Sequence, residues 1–294
     1  MARKNLVDGS IAYKERKFEV AEDLFRRAAA RDPEGETLEG KTAQVFLART
    51  LHSRFIGNRS NTELAEQAIT EYKKALANDK NDQSSYKAVA SLYENLKKPD
   101  EWKAWVTARA NTADIRPEFR AEAYTALAAK QNTCASEISD TPATKKTVQR
   151  DGKDVFEYVK PADPAELAKL RACIDEGTKL IEQAIALEPD ALKNLAAMNP
   201  KAMSDSELKA TLEVLKPFES ARSYRASLII QRSRLAEMDG NTAERDRLKN
   251  EADQAKEAFS TLADKVKDLQ NEVDARRAAA EEAENANKKA NANK

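Results

Sequence analysis

The sequence predicts an all-α protein built as an α-solenoid of stacked helix pairs, and three observations carry that prediction. The first is the stretch FEVAEDLFRRAAARDP, Phe18 to Pro33, which sets Ala21, Phe25 and Ala28 on one helical stripe. Weaker copies of this stripe recur downstream, and a helix that cannot bury its stripe alone implies stacked neighbours. The second is composition: 34% of residues are charged, Ala, Glu, Lys, Arg and Leu dominate, and only 7 glycines and 9 prolines interrupt them. The third is punctuation, because Asp32-Pro33 halts the first copy where the residue before proline avoids the α region.

The charge balance narrows the function classes. With 50 basic and 50 acidic residues the formal net charge is zero, so no global field recruits nucleic acid or an anionic membrane. No run approaches the roughly 18 consecutive apolar residues of a membrane span. The beginning, MARKNLVDGS, lacks the apolar core of a signal peptide.

Taken in order, Leu6, Gly9, Ala12 and Tyr13 read as one helix face, and Lys14 to Lys17 turns the chain into the Phe18 helix. This αα-hairpin resembles a tetratricopeptide repeat, whose signature here is Gly9, Ala21, Phe25, Ala28 and Pro33. The aromatic usual near the start of the family's first helix is missing, so the unit reads as an N-terminal cap or a truncation. A helix from Thr42 to Phe55 follows, then the polar segment GNRSNT, then Glu63 to Asn78. In the last of these, Ala68, Tyr72 and Ala75 repeat the first stripe at an offset of 47 residues. A tetratricopeptide unit is about 34 residues long, which leaves roughly 13 extra in the intervening linkers. Beyond this point the step is regular: Tyr72 maps 34 residues on to Val106 and Ala68 to Trp102, with Tyr86, Val89, Ala90 and Tyr93 facing between them. The resemblance implies a right-handed α-solenoid of about five such pairs over residues 1–273.

The fourth pair is interrupted. Its first helix starts near Pro117 and passes Tyr124 and Leu127, and its second runs from Pro164 to Leu187. Between them, at about 141–163, Lys146-Val148-Arg150 and Val155-Tyr158 flank Asp151-Gly152, the dipeptide of a type I′ turn. A small β-hairpin is expected there, packing Val155, Phe156 and Tyr158 on a neighbouring surface, since an isolated hairpin is marginal. Further on, Pro200, Ser204 and Pro217 are read as interruptions around a short helix from Asp205 to Leu215. Ser204 with Glu207 resembles a capping box. A final pair, Ala221 to Glu237 and Thr242 to about Val273, closes the array. Residues 274–294 have no apolar stripe and read as a frayed end giving way to a flexible, disordered tail.

Two cysteines flank the hairpin insertion. Antiparallel helices bring Cys134 and Cys173 to a similar height, where a disulfide would close a 39-residue loop and contribute roughly 4 kcal/mol. The competing reading is two buried free thiols in a cytosolic protein. Metal binding has no support, because no second ligand pair accompanies the cysteines and His52 is the only histidine. Gly35 to Thr42 fits the P-loop expression but follows a helix, not a strand, and carries Glu36 and Glu39, which repel phosphate. It reads as an inter-repeat loop. No constellation for catalysis stands out, and no cofactor is nominated.

The tetratricopeptide resemblance implies that first helices line a concave groove. Tyr13, Arg49, His52, Lys87 and Asn95 then face it and could hold an extended peptide or a terminal carboxylate. For each of them a solvated helix surface is the competing reading. Trp102 takes a slot usually held by a small residue, which favours core packing over a binding hot spot. The ARTLHSRF helix and the cysteines around a DGK hairpin are similar to bacterial extracytoplasmic tetratricopeptide proteins, which implies a periplasmic or envelope-associated location, with the cytoplasm as the alternative. The expected function is a non-catalytic scaffold or adaptor for a protein or peptide. The alternative is a structural or accessory subunit of a larger envelope assembly.

Overall fold

The computed structural model describes residues 2–292. They are mostly helical, with one two-stranded antiparallel sheet. The chain divides into two compact units, Met1–Ala108 with Ala113–Ile115, and Arg109–Thr112 with Arg116–Lys294.

In the first unit, α1 (Ala2–Lys14) and α2 (Phe18–Ala29) form the expected αα-hairpin. Arg16 turns between them at φ 61°, and Gly9 lets α1 approach so closely that a Cβ there would lie 2.8 Å from the Phe25 ring. Phe25 is fully buried and stacks on Phe46 of α3 (Leu38–Gly57) at 5.4 Å. α2 ends at Ala29, ahead of Asp32-Pro33, and a turn closed by Arg31 N–H to the Ala28 carbonyl leads out. The second stripe behaves like the first: on α4 (Thr62–Asn78), Ala68, Tyr72 and Ala75 are buried. α5 (Gln83–Asn95) starts on Asp82, whose carboxylate accepts from the Ser84 and Ser85 N–H groups. Trp102, on α6 (Pro99–Asn111), is buried, as its place in the stripe suggested.

In the second unit, α7 (Pro117–Ser139) and α8 (Pro164–Ile185) each begin with proline, whose missing donor costs nothing in the first turn. Cys134 and Cys173 lie within disulfide distance, their Cα atoms 6.1 Å apart, against a cluster of Ile138, Leu170, Ile174 and Met238. Between these helices, β1 (Lys145–Arg150) pairs with β2 (Lys153–Tyr158) across Asp151 and Gly152, both at positive φ as a type I′ turn requires. The expected packing of this hairpin is corrected in part. Tyr158 packs on the cluster and Val155 is half-buried, whereas Phe156, on the same face as Tyr158 but nearer the turn, is 59% exposed and has the Lys145 ammonium 4.2 Å from its ring centre.

After two 3₁₀ segments (Asp190–Ala197 and Pro200–Ala202), Ser204 and Glu207 form a complete capping box. The helix they open, α9 (Asp205–Met238), passes through Pro217 without a break, so the two helices expected here are one. An interior proline costs roughly 3 kcal/mol, and the burial of Leu212, Leu215, Phe218 and Ala221 around it is large enough to carry that cost. Lys265 and Arg276 of α10 (Thr242–Ala292) donate to the Met198 and Met203 carbonyls, which ties the 3₁₀ segments to this helix. The expected tail is likewise corrected. Residues 274–292 continue α10, because alanine and charged residues of high helix propensity need no buried stripe to keep backbone bonds, and Lys288 pairs with Glu284 at 2.6 Å. Residues 293–294 of that tail lie outside the described residues. No helix among the described residues is long and apolar enough to cross a membrane.

Candidate functional site

The cleft that gathers most of the expected residues lies in the first unit and has a volume of about 750 Å³. This is within the range of small-ligand and peptide-side-chain pockets. α1 supplies Tyr13, α3 supplies Arg49, His52, Ser53 and Ile56, and α4 supplies Leu64 and Tyr72. The spacing of Arg49, His52 and Ile56 at i, i+3 and i+7 puts all three on one stripe of α3, opposite the stripe of Leu47, Leu51 and Phe55 in the core.

Each polar group is held by its neighbours. The Tyr13 hydroxyl bonds to Ser53 Oγ at 3.1 Å while its ring meets Phe18 and Phe46 edge-on. His52 Nδ1 lies 3.4 Å from the Tyr72 hydroxyl, with the two rings at right angles. Burial, with a smaller contribution from the Arg59 charge, holds His52 below its ordinary pKa, so it is neutral at pH 7. Burial raises the Tyr72 hydroxyl, which keeps it a donor, although the Arg49 charge works against that shift. The Arg49 guanidinium stacks on Phe46 with its carbon 5.5 Å from the ring centre. Among the described residues Arg49 forms no ion pair, whereas Arg54 at the cleft edge is occupied by Glu22 and Glu19. The result is a half-buried cation with hydroxyl and imidazole groups beside it and apolar walls at Ile56 and Leu64.

Lys87 and Asn95 do not join this cleft. Lys87 is exposed on α5, and Asn95 donates to Ser91 while accepting from Arg59. Phe46 and Tyr72 were missed as site residues. Phe46 had a signal in its position three residues before Arg49, but Tyr72 was read only as core, since periodicity places the ring and not the hydroxyl.

The P-loop-like segment is closed by its own chain. Asp32 accepts from the Glu36 N–H at 3.0 Å and from the Thr37 N–H at 2.8 Å and hydroxyl at 2.6 Å. The Thr37 hydroxyl, then the backbone donors, hold the Asp32 carboxyl below the usual carboxylate range. A carboxylate therefore sits where a phosphate would need to bind, and Gly40 is required because a Cβ there would meet Asp32 at 2.1 Å. No family model matches the chain, and no curated protein matches it.

Proposed function

We propose that this protein is a non-catalytic scaffold or adaptor, built of tetratricopeptide-like helix pairs stacked as a solenoid, that grips a protein or peptide partner in the first-unit cleft. The observation that carries the reading is Arg49, a half-buried arginine stacked on Phe46 without an ion pair among the described residues. A guanidinium in that state is a strong site for an incoming carboxylate, because charge-assisted bonds in a partly desolvated place outweigh those at an open surface. The neutral His52 and the Tyr13 and Tyr72 hydroxyls add donors of fixed direction, and Ile56 and Leu64 take an adjacent apolar side chain. The helix pairs α1/α2 and α3/α4, with their repeated small–aromatic–small stripes, support the tetratricopeptide reading. A cysteine pair at disulfide distance is compatible with an oxidising compartment, which favours the periplasm or envelope over the cytoplasm.

The test is a peptide library displayed with free or amidated C-termini and probed with the wild-type chain and with Arg49→Glu/His52→Ala. The proposal expects selected free-carboxylate peptides that the double variant loses. Selection indifferent to both the carboxylate and the variant removes the cleft from consideration.

One observation favours the second reading, a structural or accessory subunit of an envelope assembly. Val7, Ile11 and Val20 are each about half exposed on the first helix pair, and paired subunits would cover them. Light scattering after size exclusion discriminates, since a concentration-independent monomer counts against self-assembly.

A further inference from the structure

The β-hairpin presents a strand edge whose outward backbone groups at Thr147 and Gln149 are unpartnered, and contacts within the second unit anchor that edge at its base. Val159 donates to the Thr144 carbonyl at 2.9 Å, and the two-residue turn closes on Arg150 and Lys153. Alternation along the ladder then makes Lys146, Val148 and Arg150 the residues bonded to β2. The N–H and C=O groups of Lys145, Thr147 and Gln149 point the other way. Lys145 N–H is taken by the Thr141 carbonyl at 2.8 Å, which leaves Thr147 and Gln149 with outward donors and acceptors.

The edge is preorganised from its base. Thr144 Oγ donates to the Ile138 carbonyl at 2.7 Å, Lys145 pairs with Asp140 at 2.7 Å, and the Arg234 guanidinium lies 4.6 Å from the Tyr158 ring centre. A two-stranded hairpin alone is marginal, so these contacts fix an edge that would otherwise fray. Binding to a fixed edge loses less ordering entropy than binding to a mobile one.

Charge selects the occupant. β1 reads KKTVQR, with three cations and no anion. Lys146 and Arg150 share one face, four residues apart, and the far neighbour of Arg150 is already Glu157 of β2 at 3.1 Å. A strand added on the open side meets these cations as direct cross-strand neighbours, where opposite charges stabilise and like charges repel. A second copy of β1 would set six cations along one seam, which bars self-pairing. We infer that β1 is a docking edge for an extended acidic segment of a partner protein, which adds as a third strand through the backbone of Thr147 and Gln149 and the charges of Lys146 and Arg150. This surface lies in the second unit and is independent of the Arg49 cleft.

The test uses the intact chain and a fluorescein-labelled octapeptide of alternating glutamate and valine, read by fluorescence anisotropy. Saturable binding is expected, and none for the same peptide with lysine in place of glutamate. Thr147→Pro deletes the outward N–H while the inward bonds of Lys146, Val148 and Arg150 remain, so it should keep the far-UV spectrum and weaken binding at least about tenfold. Lys146→Glu/Arg150→Glu, which leaves the backbone intact, should weaken it by a similar factor and let the lysine peptide bind. The inference is overturned by absence of saturable binding, by Thr147→Pro binding as well as wild type, or by a single-stranded oligonucleotide binding as tightly as the peptide. It is also overturned if light scattering shows a wild-type dimer that Thr147→Pro abolishes.

Discussion

Removing the link between Cys134 and Cys173 should cost the second unit about 4 kcal/mol, the loop-closure entropy of a 39-residue separation in the unfolded chain. The cysteines join α7 to α8 on either side of the hairpin and pack against Ile138, Leu170, Ile174 and Met238. The clean perturbation is Cys134→Ala/Cys173→Ala, which removes the cross-link without burying a hydroxyl in that apolar cluster. Urea unfolding followed by far-UV circular dichroism reads the effect, because both tryptophans, Trp102 and Trp105, lie outside the second unit. With a slope of about 2 kcal/mol per molar urea, the midpoint of the second unit should fall by about 2 M. Reductant should lower the wild-type midpoint by a similar amount and leave the double variant unchanged. A midpoint that moves by less than about 0.5 M under both treatments would refute the argument, since the slope then leaves under about 1 kcal/mol for the loop.

Other perturbations probe the first unit. Phe25→Ala should destabilise it by about 3–5 kcal/mol, measured by tryptophan fluorescence in urea, because Phe25 is fully enclosed between Gly9 and Phe46. His52 gives a pH dependence of defined sign. Its folded pKa lies below the unfolded value of about 6.5, so the unfolded chain binds the proton more readily. Stability should therefore decline as pH falls through about 6.5 toward the lower folded value, and His52→Gln should flatten that part of the profile. A steeper decline in the variant than in wild type contradicts this assignment. Asp32→Asn should loosen the Asp32–Thr37 turn and speed amide exchange at Glu36 and Thr37, whose N–H groups the carboxylate now accepts.

The helix pairs were legible wherever an alanine–aromatic–alanine stripe demanded burial, as at Phe25 and Tyr72, and the hairpin was legible because Asp151-Gly152 allows few turns other than type I′. Pro217 was not, since a local rule for breaking helices cannot weigh the side chains that α9 buries on both sides of it. The end of α10 was misread for the opposite reason: absence of an apolar stripe says that nothing packs there, not that the backbone leaves the helix. In the cleft, Arg49 and His52 were visible as neighbours on one helical face. Lys87 and Asn95 were assigned to it through the expected groove alone, and the face an exposed α5 residue presents depends on how successive helices turn, which spacing does not encode. Asp32 filling the P-loop-like turn was equally invisible, because it requires the chain to fold back on itself before the carboxylate meets its donors.

The most direct test of the central claim is a calorimetric double-mutant cycle on the best peptide from the library, with its C-terminus free or amidated, against wild type and Arg49→Gln. If the Arg49 guanidinium holds the carboxylate, amidation should weaken wild-type binding at least about tenfold and leave the variant almost unaffected, a coupling of about 1.4 kcal/mol or more. Equal losses on amidation in both proteins would place the carboxylate elsewhere and contradict the assignment of the cleft.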